Sequence, residues 1–199
     1  MMPAEATRAT PERIFEDLLA GNRRFVAGLP QTRDLVRERE ALIREQHPKA
    51  IVLACSDSRV APEIIFDQGL GDLFVIRTAG NVADKLGIGS IEYAAEVVAC
   101  SLLVVIGHQG CAAVKAACEK ERFSSPHLAA VVKAIRSSFT FEPGDDDESM
   151  RRAEQQNVRF VAHALLDRSE LLHRRVTEGK LSVVAAYYRF DRGVVERLA

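Results

Sequence analysis

The sequence predicts an α/β fold: a mainly parallel β-sheet flanked by helices, with helices ahead of it and an antiparallel C-terminal edge. Three observations carry this. Ala50 to Cys55 and Ser101 to Gly107 are unbroken apolar runs rich in Ile, Val and Leu, the pattern of short strands buried on both faces. Segments of helical period separate the apolar runs, which places a crossover helix between parallel strands. Near the end, Asp191-Arg192-Gly193 joins two β-rich stretches and reads as a hairpin turn.

Taken in order, residues 1–9 read as a loose arm. Thr10 then caps a helix opened by Pro11, with Ile14, Leu18 and Phe25 near one face, and Gly28-Leu29-Pro30 ends it. A second helix is expected from Arg33 to Glu45, its apolar side Leu35, Val36, Leu42 and Ile43. Two such helices before the first core strand imply docking on something, a second subunit being one use. The first strand follows, then a short helix at Pro62 to Phe66 and a second buried strand, Leu73 to Arg77. A helix from Gly87 to Val98 precedes the strand that ends at Gly107. Further helices are expected from Cys111 to Lys120 and from Pro126 to Ser138. Phe141 to Asp147 reads as a surface loop, and a long helix over Glu148 to Thr177 breaks near Asp167-Arg168-Ser169. The last two strands are Leu181 to Tyr188 and Val194 to Arg197.

At 199 residues the chain reads as one domain, residues 1–199, with an N-terminal helical arm (1–45) and an α/β core (46–199). A net charge of -1 leaves no basic excess for a phosphate backbone, so no nucleic-acid partner is expected. No run approaches the roughly 20 apolar residues that span a bilayer, so no membrane partner is expected either. Met1 to Arg8 lacks the apolar centre of a signal peptide, and a cytoplasmic location is expected. There thiols stay reduced, and spaced cysteines point to metal or catalysis. Cys100 reads as a small buried thiol on a helix face with Tyr93 and Val97. Cys118 lies two turns beyond Cys111, about 10 Å along a helix at ~1.5 Å per residue, too far to share one ion.

The chemistry gathers at strand ends, where open α/β sheets bind ligands. The first strand runs into Cys55-Ser56-Asp57-Ser58-Arg59, and the strand to Gly107 empties into His108-Gln109-Gly110-Cys111. Adjacent strands would bring Cys55, His108 and Cys111 together. Two thiolates and an imidazole suit zinc and leave one tetrahedral position open. On spacing alone this competes with two core cysteines and an exposed histidine. Asp57 and Arg59 favour the metal site. A carboxylate two residues from a zinc thiolate can become the fourth ligand, whereas a bidentate guanidinium keeps it away.

Cys55-Ser-Asp57-Ser-Arg59 with His108-x-x-Cys111 closely resembles the β-class carbonic anhydrases. Arg77-x-Ala79-Gly80-Asn81, Ser90-Ile-Glu-Tyr93-Ala94 and the last long strand extend the resemblance from about Gln46 onward. It implies hydration of carbon dioxide to bicarbonate and a proton, with one zinc per subunit held by Cys55, His108 and Cys111. It also implies a gating dyad of Asp57 and Arg59, and active sites at the interface of a homodimer or higher homo-oligomer. In one branch a Gln, a Phe and a Tyr line the substrate pocket, positions matched here by Gln46, Phe74 and Tyr93. Packing is the competing account of Phe74 and Tyr93.

Three positions depart from the family pattern. Thr78 stands where Asn is common, Ala112 where Gly is common, and Val52 where a bicarbonate-inhibited branch has Trp. The chain has no Trp at all, which argues against that inhibitory site. Two rivals keep the same metal ligands: a hydrolase of carbon disulfide or carbonyl sulfide, and a noncatalytic zinc-stabilised oligomeric scaffold. A thiol redox protein ranks below both, since no C-x-x-C occurs.

Overall fold

The computed structural model describes residues 9–199. The expected loose arm over residues 1–9 therefore lies outside the described residues, save its last. Five strands form one sheet: β1 (Ala50–Cys55), β2 (Leu73–Thr78), β3 (Leu102–His108), β4 (Ser182–Arg189) and β5 (Val194–Arg197). Their order is β2-β1-β3-β4-β5. The first four run parallel, and β5 pairs antiparallel with β4. The mainly parallel sheet with an antiparallel C-terminal edge is thus as the sequence predicts.

β1 and β3 are buried along their whole length, because helices cover both faces of the sheet. Alternate residues serve alternate faces, as the strand period of two requires. Val52, Leu102, Val104, Ile106 and Val184 pack against α1 (Pro11–Val26) and α3 (Pro62–Ile65). Ile51, Leu53, Leu103 and Val105 pack against α4 (Lys85–Glu96), α7 (Asp147–Arg168) and α8 (Glu170–Thr177). A third cluster, around Val114, Val132, Ile135 and Ala153, closes the carboxyl end of the central strands. It is built by α5 (Ala112–Cys118), α6 (Pro126–Arg136) and α7.

Local chemistry sets the helix ends. Thr10 Oγ1 accepts the Arg13 N–H at 3.3 Å and Pro11 opens α1. Asp146, the last residue of the acidic loop, caps α7 by accepting the Glu148 and Ser149 N–H groups. The expected break in the long C-terminal helix falls at Ser169, whose extended backbone ends α7 and whose hydroxyl caps α8 at Leu172 N.

The structure corrects three expectations. β2 is an edge strand, half-buried rather than fully buried, because β1 alone pairs with it. α2 is shorter than Arg33 to Glu45, spanning Leu35–Ala41, and it buries none of its residues. Its expected apolar side is largely open, with Leu35, Val36 and Ile43 exposed. Cys100 is buried, but not on a helix face with Tyr93 and Val97: α4 ends at Glu96, and Ala99 in the left-handed region (φ 62°) turns the chain inward.

Candidate metal centre

Parallel pairing of β1 with β3 sets Ala54 opposite Ile106, so both strands deliver their last residues to one place. Cys55 ends β1, His108 ends β3, and Cys111 stands as the N-cap of α5. One ligand atom from each lies within 4.8 Å of the others, and all three residues are buried. Cys118 is outside this group, as its spacing from Cys111 predicts.

The donor set fits a metal. His108 Nδ1 lies 2.9 Å from the Gln109 carbonyl, which can only accept, so that nitrogen carries the proton. Nε2 is left as a buried lone pair with no hydrogen-bond partner among the described residues. Such an orphaned acceptor is costly unless a ligand meets it. The N–H groups of Asp57 and Gly80 donate to Cys55 Sγ at 3.4 and 3.3 Å. The Cys55 thiol is lowered to about 4, chiefly by the Cys111 thiol beside it and, against its burial, by those two N–H groups. Cys111 is pushed up by the same Cys55 thiolate and by burial. Two thiolates this close repel each other, so each disfavours ionisation of the other. A divalent cation is the charge that lets both be thiolates.

Asp57 sits at the edge of this cluster with its carboxylate turned to Arg59. Nε donates to Oδ1 at 2.9 Å and a terminal nitrogen to Oδ2 at 2.7 Å, a bidentate pair. The Arg59 N–H adds a third bond to Oδ1 at 2.9 Å. The guanidinium, first of all, holds Asp57 well below the usual carboxylate range. The Arg59 side chain is largely exposed, so the pair contributes little to stability.

Several supporting residues had no role assigned from the sequence: Phe190 and Glu154 were not singled out, and Arg77 and Thr78 were named only as parts of the family pattern. Phe190 lies under the Arg59 guanidinium, 4.3 Å from its carbon, and 5.2 Å from the His108 ring. Its readable signal is an aromatic side chain just past the end of β4. Arg77 ties the ligand loop, donating to the carbonyls of Cys55 at 3.0 Å and Asp57 at 2.6 Å. Glu154, buried on α7, accepts the Cys111 N–H at 2.9 Å and the Tyr187 hydroxyl at 2.5 Å. It stands among Arg151, Arg152, Gln155 and Gln156 on a helix whose polar residues gave no sign of facing inward. Thr78 donates its hydroxyl to the Val82 carbonyl and so closes the turn beside Cys55.

The other three residues singled out in the sequence are not beside Cys55 in the same chain. Phe74 pairs with Ile51 on β1, four residues before Cys55, which is about 13 Å at ~3.3 Å per residue. Tyr93 on α4 is 52% exposed, with its ring 6.5 Å from that of Phe74. Gln46 is exposed, in the connection that precedes β1.

Fold and site together define an α/β protein with a metal-capable Cys-His-Cys cluster at the carboxyl ends of its central strands. The carbonic anhydrase family model matches residues 50–195, and the chain belongs to that family, in its β class. A carbonic anhydrase of Mycobacterium tuberculosis, carbonic anhydrase 2, is 40% identical over 92% of this chain and 90% of its own length. Among solved structures, the beta-carbonic anhydrase CcaA matches with a TM-score of 0.75 at 25% identity, covering 94% of each chain. A tetrameric beta-carbonic anhydrase of Sordaria macrospora shares the fold, with a TM-score of 0.71 at 20% identity over 94% of this chain and 98% of that one. Among the described residues no helix is long and apolar enough to cross a membrane.

Proposed function

We propose that the chain is a zinc enzyme for the reversible hydration of carbon dioxide to bicarbonate and a proton. Cys55, His108 and Cys111 hold one zinc per subunit, Asp57 and Arg59 are the catalytic dyad, and Gln46, Phe74 and Tyr93 line the substrate pocket. One observation carries the reading: the Asp57 carboxylate is committed to Arg59 through both oxygens, right beside three ligands that leave a fourth position free. A zinc ion in that cluster supplies a Lewis acid that lowers the pKa of water, giving a nucleophile near neutral pH.

The chain's own residues do the rest. Asp57 accepts a hydrogen bond from the attacking oxygen and so aims its lone pair at the carbon of the substrate. Arg59 keeps Asp57 ionised and turned away from the cation, and Phe190 steadies Arg59 from below. Phe74 and Tyr93 offer an apolar wall, suited to a substrate with no net dipole. The proton released leaves to buffer.

The active unit on this reading is a homodimer or a larger homo-oligomer of one-domain chains, 1–199, in the cytoplasm. Three features support it: the open β2 edge, the exposed apolar side chains of α2, and the remoteness of Phe74 from Cys55 in one chain. Four cysteines outside any disulfide suit a reducing compartment. Stopped-flow assay of carbon dioxide hydration on metal-quantified protein, run beside carbon disulfide, tests the function. Rapid hydration that scales with zinc content is expected. Turnover of the sulfur compound alone, or zinc without any turnover, would contradict it.

A further inference from the structure

The helix α7 carries two polar side chains where its face meets the sheet. Glu154 and Asn157 are 2% and 1% exposed, one helical turn apart and so on the same side. Burying both is costly unless each has a partner it must hold. Glu154 Oε1 accepts the backbone N–H of Cys111 at 2.9 Å, and its other oxygen is fixed by the Tyr187 hydroxyl from β4. Asn157 Nδ2 donates to the Gly80 carbonyl at 2.9 Å, and the N–H of Gly80 donates to Cys55 Sγ at 3.3 Å. The Oδ1 atom of Asn157 has no hydrogen-bond partner among the described residues, so its Nδ2 contact is what this buried amide gains. The next residue, Val158, meets β3 where Gly107 precedes His108. A Cβ on Gly107 would stand 2.3 Å from Val158 Cγ2, so the glycine lets the helix come this close.

One turn of α7 therefore touches all three segments that bear the candidate ligands. The geometry points to Glu154 and Asn157 as positioning residues that index the Cys111 and Cys55 sulfurs to His108. The inference rests on the metal-site reading of the previous section and deepens it. Each side chain acts through a backbone group: Glu154 fixes where α5 begins, and Asn157 orients the 79–81 turn whose N–H meets the Cys55 sulfur. A rigid helix supplies both contacts, so the two sulfurs keep a fixed separation before any cation arrives.

The test compares Glu154→Leu, Asn157→Leu and Glu154→Gln with the parent chain. Zinc affinity is measured by chelator competition, and the thiolate-to-cobalt charge-transfer band is recorded in the cobalt-substituted proteins. Both Leu variants should bind zinc roughly 10–100-fold more weakly, the usual cost of losing an outer-shell partner, and shift the cobalt band. Glu154→Gln should keep the parent affinity and band, because its oxygen still accepts from Cys111 and its amide donates to Tyr187. If a Leu variant does not fold, Asn157→Ala removes the donor without adding bulk and carries the same expectation as Asn157→Leu. Folded Leu variants with parent affinity and band would overturn the inference, as would a Glu154→Gln variant as impaired as Glu154→Leu. A parent chain that takes up no zinc would instead overturn the metal-site reading beneath it.

Discussion

At the scale of single residues, the site turns on a competition for one carboxylate. On the proposed reading Asp57 has two cationic suitors, the Arg59 guanidinium and a metal at the Cys55–His108–Cys111 cluster, and the guanidinium holds it through both oxygens. Arg59→Ala should release Asp57 onto the metal and lower turnover by roughly a hundredfold or more while zinc content stays at the parent value. Asp57→Ala leaves the fourth position open and should retain more activity than Arg59→Ala. Stopped-flow rates on metal-quantified protein decide between them, and an Arg59→Ala enzyme of near-parent rate would reduce the pair to a surface contact. A second prediction concerns Cys118, which is only half-buried. Burial, then Glu154 and Glu119, push its thiol up to about 11. A raised thiol pKa means the protonated, unreactive form persists through neutral pH. Alkylation of Cys118, followed by peptide mass spectrometry, should be slow at pH 7.5 and rise about tenfold per pH unit until pH 11. Rapid labelling at pH 7.5 would contradict this.

Among the elements, the strongest constraint lies where α1 crosses the end of α3. A Cβ on Gly21 would stand 1.8 Å from the Phe66 carbonyl oxygen, a backbone atom that has no rotamer to escape into. One residue along, Asn22 ties three elements, donating to the Ile65 and Gly193 carbonyls and accepting the Val195 N–H. Gly21→Ala should therefore destabilise the fold by about 1–3 kcal/mol, the cost of overpacking, read by denaturant unfolding. Parent stability would show that α1 shifts freely. The elements also show what a sequence can and cannot disclose. β1 and β3 were legible because unbroken Ile, Val and Leu runs have no other use in a chain of this composition, and their ends carry metal-type side chains. β2 looked the same, for its composition records the apolar neighbours it meets and not the edge it occupies. Glu154 and Asn157 were hidden for the opposite reason. They sit in a helix rich in Arg, Glu and Gln, and only the packed structure reveals that two of its polar residues face inward. The apolar side of α2 was visible, but its Leu35, Val36 and Ile43 stay exposed in the described chain.

Viewed as a whole molecule, the chain separates two groups of residues that the proposed function unites. The cysteines and His108 lie at the carboxyl ends of the strands, whereas Phe74 and Tyr93 lie near the other end of β2. If a second copy supplies Phe74 and Tyr93 to each metal site, two inactive variants should rescue each other. Cys111→Ser lacks a metal ligand and Phe74→Ala lacks the pocket wall. A hybrid dimer holds one site with intact ligands from one copy and an intact Phe74 from the other. Mixing and refolding the two should restore activity above either alone, with dimers or larger species seen by sedimentation. No gain on mixing, or a fully active monomer, would place the pocket within one chain. The central claim, a metal site of three protein ligands kept open by Arg59, is tested most directly by a crystal structure of the zinc-loaded protein, with the metal located by anomalous scattering at the zinc edge. The account predicts one zinc per chain on Cys55 Sγ, His108 Nε2 and Cys111 Sγ, with the Asp57 carboxylate still paired to Arg59. Zinc elsewhere, or Asp57 bound to it as a fourth ligand in the resting protein, would contradict it.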